Sequence, residues 1–285
     1  MVVEIYVKPR TLFKVPVYAS VLRPDTFVGK SPRELTDVYV LEGSKKVPLT
    51  ELFDIEYQGS VPSSVEEITL HLVGDFSKVR EICRRMTGGN VIIEGDVGAF
   101  LGYGMTGGRV IVRGNVGDWL GTHMCGGFIE VYGDVGNYVG ASLPGEKPGK
   151  GMRGGIIIIH GSAGAEVGRG MRGGVVVVEG SSDALPGVNM RGGTIVIEGD
   201  CKGYPGLNMR DGRIVILGRV DDIVPTFYID SIAEKVRVKE LGREYRGTFL
   251  LLRGDAMADI SCSGRLFISL DKNSHLRYLT ELLGW

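Results

Sequence analysis

The sequence is poor in cysteine. Its 285 residues include four, Cys83, Cys125, Cys201 and Cys262, and no two of them form a Cys-x-x-Cys pair. This spread excludes a disulfide framework and disfavours an iron–sulfur cluster, which needs four thiolates close together. We therefore expect reduced thiols of an intracellular protein that act as small buried apolar side chains.

Long apolar runs are absent as well, and no stretch reaches the ~18 residues of a membrane-spanning helix. The first residues, MVVEIYVKPR, lack the basic start, apolar core and cleavage site of a signal peptide. Charge is balanced, with 33 basic and 34 acidic residues. These absences predict a cytoplasmic protein with no affinity for nucleic acid and no membrane partner.

Glycine, in contrast, is abundant, with 45 residues. Disorder cannot explain this excess, because 43% of the residues are hydrophobic and a chain of this length can bury a large core. Collagen is excluded by the 11 prolines and by the lack of a three-residue period.

The glycines belong to an internal repeat. Seven of the nine methionines open a unit that reads Met-x-Gly-Gly followed by a β-branched run: Met86, Met105, Met124, Met152, Met171, Met190 and Met209. They are 19 residues apart except for one gap of 28, which contains a Pro/Gly-rich insertion expected to form a surface loop at 141–149. The β-branched runs predict strands at 91–93, 110–112, 129–131, 157–159, 176–178, 195–197 and 214–216.

Each unit is too short to include a helix of normal length, and its glycine pattern fits sharp corners between strands. Stacked units of strand and corner predict an all-β fold, a right-handed parallel β-helix. It would be a single-stranded solenoid of 19-residue coils, with short helices capping its ends. The period disfavours the acyltransferase type of this fold, which repeats every 18 residues.

Three segments follow from this interpretation. Residues 1–66 are predicted to form an N-terminal module of strands and loops, residues 67–220 the seven coils, and residues 221–285 further strands with a capping helix. Apolar residues at helical spacing predict one short helix over 75–85 and another in the C-terminal SHLRYLTELLGW. Strands are expected at 248–253 and 266–270.

Two rows of aligned residues are candidates for contact with a partner. Six residues after each repeat methionine, on a nominally solvent-facing position, six of seven residues are apolar: Ile92, Ile111, Ile158, Val177, Val196 and Val215, with Glu130 as the exception. Either the chain's own terminal segments or a partner subunit must cover this apolar stripe. One residue after the methionine, Arg153, Arg172, Arg191 and Arg210 would stack into a ridge of like charge. The ridge needs carboxylates, from Glu179 and Glu198 or from another subunit, or else it is solvated with local counterions.

A catalytic or metal site is not predicted. The glycines are followed by strands and not by a helix N-terminus, so a phosphate-binding loop is disfavoured. The four histidines are isolated, and no Ser-His-Asp arrangement can be assembled. The row Asp96, Asn115, Asp134, Ser162, Ser181 and Asp200 is interpreted as corner residues that bond to backbone. The aromatic-rich row Phe100, Trp119, Tyr138, Glu166, Leu185 and Tyr204 is interpreted as packing.

The repeat resembles the glycine-repeat domain of the glutamate synthase large subunit and, more closely, the C-subunit of formylmethanofuran dehydrogenase. The second resemblance includes the segment Arg23-Pro24-Asp25-Thr26-Phe27-Val28-Gly29-Lys30-Ser31 and the stretch from Leu266 to Leu276. The C-subunit of the related bacterial formyltransferase/hydrolase complex is similar too.

The resemblance implies a non-catalytic structural subunit of a complex that reduces CO2 and formylates methanofuran in one-carbon metabolism and methanogenesis. It implies no cofactor on this chain. Tungsten or molybdenum pterin, iron–sulfur and dinuclear metal centres are expected in partners, namely a pterin-bearing catalytic subunit and an amidohydrolase subunit. Membership of the formyltransferase/hydrolase complex and an autonomous glutamate-synthase-like module are the alternatives.

Overall fold

A computed structural model of the chain describes residues 2–281, and β-strands form most of its regular structure. The first strands are β1 (Val3–Pro9), β2 (Val17–Tyr18), β3 (Tyr39–Glu42), β4 (Lys45–Pro48), β5 (Phe53–Gln58), β6 (Ile68–Val73) and β7 (Val79–Arg80). The repeats contribute β8 (Asn90–Glu94), β9 (Arg109–Arg113), β10 (Phe128–Val131), β11 (Arg153–Ile159), β12 (Gly173–Val178), β13 (Arg191–Ile197) and β14 (Asp211–Ile216). The last strands are β15 (Tyr228–Val238), β16 (Arg243–Arg253) and β17 (Arg265–Ser269).

Helices are short. Two α-helices, α1 (Leu49–Leu52) and α2 (Tyr278–Glu281), have four residues each within the described part of the chain. Single 3-10 turns lie at Pro24–Thr26, Val65–Glu67, Lys239–Leu241 and Ser274–Leu276, and a longer one at Pro32–Asp37. None of the helices among residues 2–281 is long and apolar enough to cross a membrane.

One large sheet of 13 strands organises the molecule, in the order β15-β16-β17-β14-β13-β12-β11-β10-β9-β8-β6-β1-β5. In this spatial order, the strands from β17 across to β1 run parallel to one another. The strands beyond them, β5 at one end and the hairpin of β15 and β16 at the other, pair in antiparallel fashion. Each predicted β-branched run lies in one of these strands and pairs in the predicted alignment, as Val91 with Val110 and Ile195 with Ile214. The all-β class and the seven repeat strands are therefore confirmed.

The core lies between this sheet and a second row of parallel pairings. Isolated bridges join Phe76, Val97, Val116, Val135, Ala163, Ser182, Cys201 and Val220 in that order. The β-branched residues five and seven positions after each repeat methionine fill the space between the two rows, and they are fully buried together with the methionines. Every repeat therefore adds one layer of apolar side chains to a continuous core.

Glycine is required where one unit passes close to the next. A Cβ atom on Gly107 would lie 2.1 Å from the carbonyl oxygen of Thr87, and Gly121 has a φ of +62°. The corner fourteen residues after the methionine is left-handed too, yet it carries large side chains such as Phe100 (φ +66°) and Trp119 (φ +68°). Their rings stack on one another and on Tyr138, at centroid distances of 5.9 and 4.1 Å. This stacking bears out the packing role and offsets part of the cost of about 1–2 kcal/mol of a left-handed non-glycine residue.

The helix predicted over 75–85 is wrong. This segment contains the two-residue strand β7, and Phe76 begins the row of isolated bridges. Its left-handed residues Glu81, Cys83 and Arg85 lie 19 positions before Phe100, Gly102 and Gly104, which are left-handed as well. The segment is thus the corner part of a further repeat unit, and its inward-facing residues happen to be spaced like one face of a helix.

The two chain ends extend this architecture. Strands β1 and β5 continue the large sheet beyond β6, and β2, β3, β4 and β7 form a second sheet in the order β4-β3-β2-β7. At the other end β15 and β16 form a long hairpin, and the strands predicted at 248–253 and 266–270 lie within β16 and at β17. The predicted C-terminal helix is represented by a 3-10 turn and α2, while its residues Leu282 and Leu283 lie outside the described residues.

Candidate subunit interface

The apolar stripe lies on the outer face of the large sheet, and its C-terminal part is covered by the chain itself. Val177, Val196 and Val215 are fully buried. The hairpin β15–β16 packs over them and, with the end of the sheet, forms a second apolar cluster whose other members are Val175, Val236, Val238, Phe249 and Phe267. For these three predicted interface residues the covering segment is therefore part of the same chain, and a partner cannot reach them while the hairpin is docked.

The N-terminal part of the stripe is not covered in this way. Ile92 and Ile111 are partly exposed, whereas Ile158, between the two parts, is buried with 8% of its surface accessible. The outward row continues from Ile92 to His71 and Tyr6, whose rings stack at 4.5 Å. Half of the outer face thus offers apolar and aromatic side chains to solvent.

The arginine ridge forms at the predicted corner. Arg153, Arg172 and Arg210 are exposed and Arg191 is half-buried. Burial, aided by the positive charge of Arg210, lowers the pKa of Arg191. Its Nη1 donates to the carbonyls of Met190 (2.9 Å) and Asn208 (2.7 Å).

One arginine of this ridge pairs with a carboxylate of the same chain, which is neither Glu179 nor Glu198. Asp259 lies 3.6 Å from Arg210, whereas Arg153 and Arg172 form no ion pair with any described residue. Glu179 and Glu198 instead lie on the outer face of the sheet and each accept from Arg243 of the hairpin at 3.3 Å. Of the three alternatives for the ridge, pairing with Glu179 and Glu198 is thus excluded, because residues eight positions after the methionine are on the strand face and not at its first corner.

A polar network at the hairpin edge was not found from the sequence. The Nδ1 atom of His160 lies 2.7 Å from Glu179 and its Nε2 atom 3.3 Å from Glu130, and the ring stacks on Tyr132 at 4.5 Å. Burial lowers the pKa of His160, but the hydrogen bonds to the two glutamates outweigh this effect and raise it above the usual value. The sequence does contain a signal for this network, because the residues eight positions after the repeat methionines place opposite charges on adjacent strands. They are Glu94, Arg113, Tyr132, His160, Glu179 and Glu198.

The acidic and polar corner row bonds to backbone, as predicted. Oδ1 of Asp96 accepts from the N–H of Asn115 (2.7 Å), and Oδ1 of Asn115 accepts from the N–H of Asp134 (2.8 Å). The pattern repeats at Ser162, Ser181, Asp200 and Arg219. Each side chain of this row therefore accepts a backbone hydrogen bond that joins its unit to the next one.

The cysteines are all free. Cys83, Cys201 and Cys262 are buried as expected, but Cys125 is exposed because it occupies the corner position of the arginine ridge. Among residues 2–281 no group of three or more His, Cys, Asp or Glu side chains is arranged to hold a metal ion.

Comparison with known proteins gives local sequence matches. The chain is 38% identical over 94 residues to the C-subunit of molybdenum-containing formylmethanofuran dehydrogenase 1 of Methanothermobacter marburgensis, a match that covers 33% of this chain and 22% of that protein. It is 33% identical over 101 residues to the C-subunit of tungsten-containing formylmethanofuran dehydrogenase 2 of Methanothermobacter wolfeii, covering 35% of this chain and 37% of the relative. The matches thus span about a fifth to little more than a third of the relatives' length. No family model matches the chain.

A solved structure extends the similarity to nearly the whole chain. It is the crystal structure of the formyltransferase/hydrolase complex FhcABCD from Methylorubrum extorquens with methylofuran, in which one chain aligns with a TM-score of 0.77 and 25% identity. The alignment covers 93% of this chain and 99% of that one. The resemblance inferred from the glycine repeat is therefore confirmed: this chain is similar to the C-subunit of formylmethanofuran dehydrogenase.

Proposed function

We propose that this chain is a non-catalytic structural subunit of a formylmethanofuran dehydrogenase complex. The observation that carries the proposal is the structural match, which spans almost all of both chains and comes from a formyltransferase/hydrolase complex of several subunits. The curated relatives have the name of the C-subunit of the dehydrogenase. In this role the chain holds other subunits, and the molybdenum or tungsten pterin, iron–sulfur and dinuclear metal centres are on those subunits.

The scaffold in this proposal is a right-handed parallel β-helix with 19-residue coils. In-register parallel pairing from β6 to β14 and the second row of bridges support it, because both recur once in every repeat. Interlocked layers of this kind make a rigid wall, since each layer is bonded to its two neighbours along two lines.

Two surfaces of this wall are the proposed contacts for the pterin-bearing and amidohydrolase subunits. One is the open half of the outer sheet face, at Ile92, Ile111 and the edge of Ile158, which suits an apolar partner surface. The other is the ridge of Arg153, Arg172, Arg191 and Arg210, which suits an acidic one.

The experiment is purification of the tagged chain from its native host, followed by identification of the proteins that accompany it. The wild type is expected to retain a pterin-dependent oxidoreductase subunit and an amidohydrolase subunit. Arg153→Glu with Arg172→Glu should lower the recovery of a partner, because both charges are reversed at positions without an internal carboxylate. Arg246→Glu, which changes an exposed arginine on the hairpin, serves as the control. A chain that purifies alone and has transferase or hydrolase activity would contradict the proposal.

Membership of a formyltransferase/hydrolase complex is a second candidate, favoured by the source of the structural match. The same purification separates the two. An amidohydrolase and a formyltransferase subunit without a pterin oxidoreductase would favour the second candidate, whereas a pterin-bearing subunit would favour the dehydrogenase.

A further inference from the structure

Arg213 differs from the arginine at the equivalent place in an earlier repeat. Both Arg109 and Arg213 lie four residues after a repeat methionine, on the outer face of the sheet. The guanidinium of Arg109 is satisfied, because its Nη2 lies 3.1 Å from Glu130 and the group sits 5.0 Å over the Phe128 ring.

Arg213 has no such carboxylate among the described residues. Its Nη1 donates to the carbonyl oxygen of Arg237 at 2.6 Å. Its Nε atom is buried and has no hydrogen-bond partner. A buried donor without a partner costs about 1–3 kcal/mol, so this position is unfavourable unless something else accepts from the guanidinium.

The surroundings of Arg213 are cationic. A surface depression of about 270 Å3 lies between the sheet and β15, lined by Arg213, Lys235, Val236, Arg237, Lys239 and Phe267. Four of these six residues are cations and none is a carboxylate. Lys235 and Arg237 alternate along β15 with Val236 and Val238, which are buried in the apolar cluster against the sheet. The backbone therefore holds the cations side by side on the outer side of β15.

Neighbouring carboxylates neutralise this cluster only in part. Glu244 bonds to Arg237 and also to Arg246 at 3.0 Å, so one carboxylate serves two arginines. Glu240 and Asp211 line a second depression, which Arg213 also lines, and Asp211 already accepts from Ser263 at 2.9 Å. Arg265 lines that second depression and pairs in register with Arg213, which adds a further like charge. Like charges on directly opposed residues of neighbouring strands are destabilising.

We propose that the depression at Arg213 is a binding site for a small oxyanion, a phosphate or a carboxylate. Such a ligand accepts several charge-assisted hydrogen bonds at once, which matches a depression lined by the Arg213 guanidinium, incompletely hydrogen-bonded, and by Lys235 and Lys239. It would relieve the repulsion within the cluster. The proposal is independent of the chain's place in a complex, because every group that forms the site is on this chain.

The test is calorimetric titration of the full-length isolated chain with inorganic phosphate and, separately, with malonate, at constant ionic strength set by sodium chloride. Saturable binding is expected with a dissociation constant at or below about 1 mM. Arg213→Met should weaken it by about tenfold or more, since it removes a charge-assisted contact. Lys239→Gln, a change at an exposed residue that leaves the core intact, should weaken it by a smaller factor.

Arg109→Met is the matched control, because it removes an arginine from the same repeat position where Glu130 already satisfies it. It should change the affinity by less than about twofold, and thermal unfolding of each variant shows that it is folded. Phosphate binding with weak malonate binding would identify a phosphate site, and the reverse a carboxylate site. The proposal is overturned if neither anion gives saturable heat up to about 10 mM, or if Arg109→Met weakens binding as much as Arg213→Met.

Discussion

On the outer face of the large sheet, the residue six positions after the repeat methionine is partly exposed in one half and buried in the other. Ile92 and Ile111 in the N-terminal half are partly exposed, whereas Val196 and Val215 in the C-terminal half are fully buried beneath the hairpin β15–β16. The position is apolar in both halves, so the sequence pattern alone does not distinguish them. The difference arises because β15 and β16 fold back over one end of the stack. An apolar residue at this position therefore indicates a surface that another segment or subunit covers. Whether the covering segment belongs to the same chain depends on how far the repeat lies from the hairpin.

The largest expected effect comes from placing a polar side chain in the covered half. Val196→Ser should lower the free energy of unfolding by about 3 kcal/mol, because it removes buried methyl groups and buries a hydroxyl. Ile111→Ser in the open half should lower it by about 1 kcal/mol or less. Urea denaturation of the two variants measures the comparison. Equal losses in the free energy of unfolding would contradict the difference in burial between the two halves.

The hairpin is also held by charge, and its removal should have an intermediate effect. Arg243 faces both Glu179 and Glu198, and its side chain is 36% exposed. Arg243→Met should cost about 1 kcal/mol after allowance for solvent screening, because two carboxylates then lose their shared partner. Arg113→Met is the control in the open half, since Arg113 pairs with Glu94 and its side chain is 64% exposed. A loss in this control as large as that for Arg243→Met, in denaturant titration, would contradict the role of the hairpin.

Near neutral pH, a change of stability with pH is expected from His160, at the boundary between the halves. Its pKa is raised in the folded state by the hydrogen bonds to Glu179 and Glu130, which outweigh its burial. The group therefore contributes stability that is complete below the unfolded pKa of about 6.5 and is lost as the pH rises through the higher folded pKa. His160→Gln should accordingly destabilise the protein more at about pH 6 than at about pH 9.

Thermal unfolding of the wild type and of His160→Gln at the two pH values tests this directly. NMR titration of the imidazole should give a midpoint above about 6.5. A difference between the two proteins that does not change with pH, or a midpoint below that value, would contradict the assignment.

The smallest expected effect lies at the corners, which are alike in both halves. Asp134→Ala removes the acceptor for the N–H of Ser162 and should cost about 0.5 kcal/mol, since water can reach the exposed site. Asp200→Ala, in the covered half, should cost a similar amount because it accepts from Arg219 in the same way. Chemical denaturation of both variants is the measurement, and a several-fold difference between them would show that the corners are not equivalent.

The strands were predictable because their cause is local. A β-branched run such as Ile157–Ile159 needs only its own residues and the 19-residue spacing to be identified as one layer of a stack. The backbone role of Asp134 was predictable for the same reason, because short polar side chains at corners bond to nearby backbone.

The features that could not be predicted depend on contacts between segments far apart in the chain. The burial of Val196 is decided by a hairpin more than thirty residues away, and the pairing of Glu179 by Arg243. The segment 75–85 imitates a helix because Phe76, Val79 and Ile82 recur at a helical spacing, while its true conformation is set by hydrogen bonds to the next repeat. Periodicity identifies a repeat well but is a poor guide to the segment that begins it.

Thiol accessibility tests the central claim most directly. Ile111→Cys and Val196→Cys are labelled with a maleimide, in the isolated chain and in the complex purified from the native host, and the rates are read by peptide mass spectrometry, which separates them from the exposed Cys125. The account predicts that the thiol introduced by Ile111→Cys reacts rapidly in the isolated chain and slowly in the complex, while the one introduced by Val196→Cys is protected in both. Rapid labelling of Val196→Cys in the isolated chain, or labelling of Ile111→Cys that the complex does not slow, would contradict it.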